Sequence, residues 1–217
     1  MATKRQSPYI WATWLTKLLV GENSCEWSAW FKAQHEGSSW EKVPSTFQIA
    51  GWQTEHTAFL GEIRSKLETE GMHVFTESQN HFVLRGTTAA LAGKPDLIAT
   101  SKGKGIIIDA KTGKQSPVHH IQVMLYMYAV PRVLRQYSGM SFDGMVVYKD
   151  QEVPIPSSAI DGKFVANLSD LIRRLGSSTP ARKVPNPIEC GFCDITEADC
   201  PERAAGQPME EGKTADF

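Results

Sequence analysis

Residues Gly93 to Lys111 read GKPDLIATSKGKGIIIDAK. Asp96-Leu97-Ile98-Ala99-Thr100 is one apolar run, and Gly105-Ile106-Ile107-Ile108-Asp109-Ala110-Lys111 is a second, rich in β-branched residues. Ser101-Lys102-Gly103-Lys104 between them has the composition of a tight turn. The stretch therefore predicts a β-hairpin. A turn centred between Lys102 and Gly103 sets Asp96 opposite Asp109, where cross-strand Cβ atoms lie roughly 4.5–5.5 Å apart. Residues two apart on a strand share a face, so Lys111 points with Asp109 and Ala110 points away. Two carboxylates and an ammonium on one face make a divalent-metal site with an adjacent cation.

The surrounding chain bounds what such a site can serve. Its 217 residues suffice for one full domain with a substantial core. A hydrophobic content of 41%, a charged content of 22% and a formal net charge of −1 are those of an ordinary soluble protein. No bulk basic excess advertises nucleic-acid binding, although Lys102, Lys104, Lys111 and Lys114 surround the hairpin. No apolar run approaches the roughly 18 residues of a spanning helix, and the N-terminus lacks a signal-peptide pattern. The expectation is an intracellular, cytoplasmic protein with no membrane partner, in which cysteines serve as metal ligands or free thiols rather than disulfides.

Upstream of the hairpin, periodicity predicts helices over Tyr9–Val20, Cys25–Gln34 and about Gly51–Thr69. All six tryptophans occur by residue 52, a pattern read first as aromatic core packing, with base stacking the lesser option. His56 falls on or near the apolar stripe of the third helix, where a histidine is more often a hydrogen-bonded core residue than a ligand. Residues 72–79 and 81–93 alternate, predicting about four consecutive strands with the hairpin. Downstream, Ser116-Pro117 opens a helix to residue 130, with Gln122 and Tyr126 on one face. It follows the hairpin closely enough to cross back over the carboxylates. Residues 142–150 form a further strand, parallel if that helix is its crossover. A helix over Ser158–Leu175 follows, and the polar residues 203–217 read as a disordered tail.

The cysteines form a second constellation. Cys190-Gly-Phe-Cys193 followed by Cys200-Pro201 is C-x2-C-x6-C-P, and Cys25 stands alone near the N-terminus. Three clustered cysteines need a fourth ligand for a closed zinc site or a [4Fe–4S] cluster, and Cys25 would supply it. The spacing leaves zinc and iron–sulfur both open.

Taken together these motifs resemble the RecB-like iron–sulfur nucleases of the PD-(D/E)XK superfamily, the group of the CRISPR-associated exonucleases and AddB-type nuclease domains. The parts occur in the family's order: Cys25, then Gly51-Trp-Gln-Thr-Glu-His56, Gly93-Lys-Pro-Asp96, Asp109-Ala-Lys111, Gln122-Val-Met-Leu-Tyr126, and the terminal cysteines with Pro201. The resemblance implies an α/β (α+β) restriction-endonuclease-like core, a central mixed sheet flanked by helices. It implies an N-terminal helical part over residues 1–50, the nuclease core over 51–176 and a cysteine segment over 177–202. His56, Asp96, Asp109 and the Ala110 carbonyl would hold Mg²⁺ or Mn²⁺. Lys111 would orient water or stabilise developing charge, and Gln122 and Tyr126 would position the scissile phosphate or Lys111. Cys25, Cys190, Cys193 and Cys200 would hold a structural [4Fe–4S] cluster. The implied activity is 5′→3′ exonuclease on single-stranded DNA, in CRISPR adaptation, antiviral defence or recombination. Two rivals from other classes are a non-catalytic nucleic-acid-binding module with a structural metal site, and a subunit acting only within a recombination or adaptation complex.

Overall fold

The computed structural model describes residues 2–44 and 49–206. In chain order its elements are β1 (Tyr9–Trp11), α1 (Ala12–Leu19), α2 (Trp27–Gln34), α3 (Ile49–Thr69), β2 (His73–Thr76), α4 (Glu77–Asn80), β3 (Phe82–Arg85), β4 (Ala90–Gly93), β5 (Leu97–Ser101), β6 (Lys104–Lys111), α5 (Pro117–Val133), β7 (Phe142–Tyr148), β8 (Glu152–Ile155), α6 (Gly162–Gly176) and α7 (Pro187–Gly191). The disordered-tail expectation falls mostly on residues 207–217, outside the described residues.

The hairpin is β5–β6. Its turn is the two residues Lys102 and Gly103, at φ 48° and φ 78°. Two successive positive φ values give a turn whose twist matches that of antiparallel strands, and glycine is well suited to the second position. The turn fixes the register: Ser101 faces Lys104, Ile98 faces Ile107 and Leu97 faces Ile108. The paired residues end there, and Asp96 and Asp109 are the next residue on either side.

Five strands make the main sheet, in the order β2-β5-β6-β7-β8. The β6–β7 pair is parallel, with Asp109 beside Val146 and Lys111 beside Tyr148, and α5 is the crossover between them. The other pairs are antiparallel, so the sheet is mixed. Ile98, Ile107, Val146 and Tyr148 join Val123, Met127 and Val130 of α5 in one core. Leu97, Ile108, Ala110 and Val147 pack against Ile63 of α3. The sheet is thus covered by α5 on one face and α3 on the other, and its central strands are apolar on both faces, as a doubly covered sheet requires. Burial of each large side chain in these layers contributes about 1.5–3 kcal/mol.

A second mixed sheet has the order β1-β4-β3. It corrects two sequence expectations. Tyr9–Trp11 is a strand, parallel to β4 with Ile10 beside Leu91, and the helix begins only at Ala12. A partner strand some eighty residues away overrides a local helical pattern there. The expected run of four consecutive strands is divided, because β3 and β4 leave the main sheet to pair with β1. The break between β2 and β3 is α4, started by a capping box in which Thr76 and Gln79 exchange side-chain-to-backbone bonds. Two smaller corrections follow. α5 runs on through Pro131 to Val133, and α6 starts at Gly162, where the Asp161 carboxylate accepts from Phe164 N at 2.7 Å. Phe164, Leu168, Leu171 and Leu175 form the buried stripe of α6, and Trp30 of α2 donates from Nε1 to Ser177 O at 2.8 Å beside it. No helix among the described residues is long and apolar enough to cross a membrane.

Candidate active site and cysteine cavity

The end of the hairpin away from its turn carries the carboxylates. Asp109 is 1% exposed and Asp96 8% exposed, which leaves them among the few buried charged groups of the chain. Asp96 follows Pro95, whose carbonyl accepts from Asn80 Nδ2 at 3.3 Å, so α4 steadies the approach to the strand. The Asp96 Oδ2 atom accepts from Ala110 N at 2.8 Å, tying the two sides of the hairpin beyond the last ladder pair.

His56 reaches this point from α3. Its Nε2 lies 3.3 Å from Ala110 O and 3.5 Å from Asp96 Oδ2. The hydrogen bond to Asp96 is the main reason that His56 holds its proton to higher pH than usual. The indole of Trp52, one turn earlier on α3, stacks on the His56 ring with centroids 4.8 Å apart.

Gln122 approaches from α5 on the opposite side. Its Nε2 donates to Asp109 Oδ1 at 2.9 Å and to Tyr126 Oη at 3.0 Å, while its Oε1 accepts from Lys111 Nζ at 3.1 Å. One amide therefore joins the acid, the ammonium and the phenol. Lys111 Nζ also stands 2.6 Å from Asp109 Oδ2. That contact is an ion pair without the angles of a directed hydrogen bond, so Oδ2 is buried with its lone pairs unaimed at any donor. Burial, reinforced by the charge of Asp96, pushes the Asp109 carboxyl up to about 7, against the lowering effect of Lys111. Burial likewise pushes the Tyr126 phenol up, and its hydroxyl stays protonated.

His56, Asp96, Asp109, Ala110, Lys111, Gln122 and Tyr126 thus lie in one connected group. Among the described residues no set of three or more His, Cys, Asp or Glu side chains is arranged to hold a metal ion. The polar atoms here are engaged with one another: His56 with Asp96, and Asp109 with Gln122 and Lys111. The donor chemistry nevertheless suits a hard divalent cation, being oxygen-rich with one imidazole. The buried Oδ2 of Asp109 is the atom that such a cation would satisfy.

Sequence reasoning missed two neighbours. Tyr148 is the cross-strand neighbour of Lys111, and its hydroxyl is 2.8 Å from His119 Nδ1 of α5. Burial pulls His119 down to about 4, so its ring is neutral. Only the parallel register of β6 and β7 would have pointed to Tyr148, and that register is not written locally. Trp52 was grouped with the core tryptophans, yet it is exposed.

The four cysteines also come together. Cys25, Cys190, Cys193 and Cys200 line a single cavity of about 200 Å³, and none is in a disulfide. The Cys25 end is tied down by Glu189 of α7, whose carboxylate accepts from Ser24 N at 3.0 Å and Cys25 N at 3.1 Å. Lys17, Lys32, Lys183 and Arg203 line the same cavity. Burial raises the Cys193 and Cys200 thiols above their ordinary value.

Residues 14–200 match the family model of the PD-(D/E)XK nuclease superfamily. No curated protein matches the chain. Among solved structures 18 chains match. One of them, the crystal structure of SSO0001, is 17% identical, with 92% of this chain and 89% of that one covered at a TM-score of 0.47.

Proposed function

The chain belongs to the PD-(D/E)XK nuclease superfamily, and from that premise we propose that it is a metal-dependent exonuclease on single-stranded DNA, of the RecB-like iron–sulfur kind. The observation that carries the catalytic part is the Gln122 amide, which holds the Asp109 carboxylate, the Lys111 ammonium and the Tyr126 hydroxyl at once. Asp96, Asp109, His56 and the Ala110 carbonyl would hold Mg²⁺ or Mn²⁺. Such an ion supplies a water of lowered pKa and neutralises charge on the reacting phosphate.

Each side chain then has a task set by its position. Burial and the charge of Asp96 push the Asp109 carboxyl up to about 7, so a bound cation would favour its anion and the residue suits binding a metal. Lys111 is the cation nearest the reacting centre; released from Asp109 Oδ2, it can stabilise charge developing on the phosphate or orient the attacking water. Gln122 accepts from Lys111 and thereby limits where the ammonium can swing. Tyr126, fully protonated, serves as a neutral donor for positioning.

Cys25, Cys190, Cys193 and Cys200 line one pocket, and by resemblance to the RecB-like group they would hold a [4Fe–4S] cluster. The lysines and arginine of the pocket offset the negative charge that thiolates bring. By resemblance the cluster is structural, and the substrate polarity is 5′→3′.

End-labelled single-stranded DNA incubated with the protein and Mn²⁺ tests the catalytic part. Wild type should shorten the strand and Asp109→Ala should not. No degradation by wild type, or equal degradation by the variant, rejects the assignment. A colourless, anaerobically purified protein with stoichiometric zinc rejects the iron–sulfur cluster.

A further inference from the structure

Tyr148 links the candidate site to a cleft beside it. It is the cross-strand neighbour of Lys111 in the parallel β6–β7 pair, so the two side chains share a face. Its side chain is buried, and its hydroxyl is 2.8 Å from His119 Nδ1 of α5. Tyr148 is also one wall of an open cleft of about 520 Å³, whose other walls are Thr112, Gly113, Lys114, Gln115 and Asp150. The cleft therefore adjoins the Lys111 end of the site, and the loop from Lys111 to α5 is its rim.

Lys114 is exposed on that rim. The other lysines around the site are neutralised: Lys111 by Asp109, Lys94 by Glu77 and Lys149 by Glu55. Lys114 makes no ion pair among the described residues, although Asp150 lines the same cleft. The backbone N–H groups of Gly113, Lys114 and Gln115 likewise donate to no protein acceptor among the described residues. An uncommitted ammonium and a run of uncommitted N–H donors thus share one cleft next to Lys111.

We propose that this cleft is a subsite for a non-reacting phosphodiester of the substrate strand, held by the Lys114 ammonium and the N–H groups of residues 113–115. The inference rests on the nuclease reading above and specifies where the strand runs once it has passed Lys111. Successive backbone N–H groups form a concave seat for an anion, and a lysine adds a point charge to it. A phosphate contact fixes the register of a strand without reading its sequence. Held by His119, the Tyr148 wall stands ready before the strand arrives, which lowers the ordering cost of binding.

Binding of fluorescent oligo(dT) without a terminal phosphate is measured on the full chain in chelator, so that cleavage plays no part. Lys114→Gln should weaken binding about 2- to 5-fold at physiological salt, the scale of an exposed ion pair. It should also reduce the slope of log affinity against log salt by about 0.7, the share of one phosphate on a single strand. Lys114→Arg should restore the slope. Lys102→Gln, which removes an exposed lysine at the turn end of the hairpin, should leave the slope as it is in wild type. Asp150 repels a phosphate in the cleft, so Asp150→Asn should tighten binding. A folded Lys114→Gln protein with the wild-type slope overturns the subsite. So does an equal change in Lys102→Gln, because the charge would then act only at long range. Weaker binding by Asp150→Asn overturns it as well, since Asp150 would then support Lys114 instead of opposing the phosphate. If wild type neither binds nor cleaves single-stranded DNA, the nuclease reading itself fails. If it cleaves while Lys114→Gln binds with the full slope, the subsite alone fails.

Discussion

Gly93 leaves the space that Tyr126 occupies: a Cβ at residue 93 would come within 2.7 Å of Tyr126 Cε1 and 2.7 Å of Phe82 Cζ. The glycine three residues before Asp96 is thus required by close packing, with no unusual backbone angle. Gly93→Ala should push Tyr126 aside and with it Gln122, whose Nε2 bonds to the Tyr126 hydroxyl. Overpacking of this kind costs about 1–3 kcal/mol. The expected result is a fall in melting temperature of roughly 2–4 °C per kcal/mol together with reduced nuclease turnover. Tyr126→Phe in the same background, which keeps the clash and removes the hydroxyl, should add little further loss.

Lys111 is held between Asp109 and Gln122, and its replacement separates charge from structure. Lys111→Ala should lower kcat about 10²–10³-fold, the scale for losing one electrostatic donor. Affinity for single-stranded DNA in chelator should stay nearly unchanged. Gln122→Ala should give a smaller loss, because it keeps the ammonium and removes only the amide oxygen that limits its position. If Gln122→Ala costs as much as Lys111→Ala, then positioning of the ammonium, rather than its charge, limits the rate.

The hairpin was legible because a two-residue turn leaves no freedom of register. Once Lys102-Gly103 is identified, the pairing out to Leu97 and Ile108, the neighbours of Asp96 and Asp109, follows. The approach of α5 was legible for a similar reason, since a short connection must return the chain over the sheet. The strand at Tyr9–Trp11 was not, because its partner β4 is distant and its sequence runs smoothly into a helix. The capping box at Thr76–Gln79 was readable in principle, but the apolar alternation around it masked the signal. The meeting of His56 with Asp96 and Ala110 depends on how α3 packs on the sheet. Periodicity gives the buried face of a helix, and it does not say which strand end that face reaches.

The acid–base state of the site predicts how metal and pH combine. In the metal-free fold Asp109 titrates near 7 instead of its ordinary 3.8, and His56 is raised above 6.5 by its bond to Asp96. Between the ordinary and the raised values, the folded state carries more protons than the unfolded chain at both residues. Stability therefore falls as pH rises through this window. The metal-free protein should melt at a higher temperature near about pH 5.5 than near about pH 8, as far as these two groups decide it. Mn²⁺ needs the deprotonated carboxylate and imidazole, so its stabilisation should grow with pH over the same range. Asp109→Asn should flatten much of the carboxylate contribution and weaken the metal effect. Differential scanning calorimetry with and without Mn²⁺ at the two pH values measures both. A thermal shift from Mn²⁺ that is independent of pH, or retained in full by Asp109→Asn, would contradict these ligand assignments.

Glu189 holds the Cys25 end of the cysteine cavity through its carboxylate. Its carboxylate collects Ser24 N, Cys25 N and Asn186 Nδ2, so it aims Cys25 at cysteines far along the chain. Glu189→Ala leaves all four thiols in place and removes that tether. Hydrogen bonds to a charged group contribute about 1.5–3 kcal/mol each, and less where water reaches them, as it does at Ser24. If these cysteines hold the proposed cluster, the variant should therefore assemble it but lose it faster to a chelator than wild type does. Cys25→Ser should fail to retain a full cluster at all. Iron per chain and the decay of visible absorbance under chelation distinguish the two. Because the cluster would clasp the N-terminal helices to the C-terminal segment, both variants should also melt earlier, Cys25→Ser by more. A Glu189→Ala protein with wild-type cluster lifetime would mean that the other three cysteines and the cavity walls suffice to hold Cys25 in position.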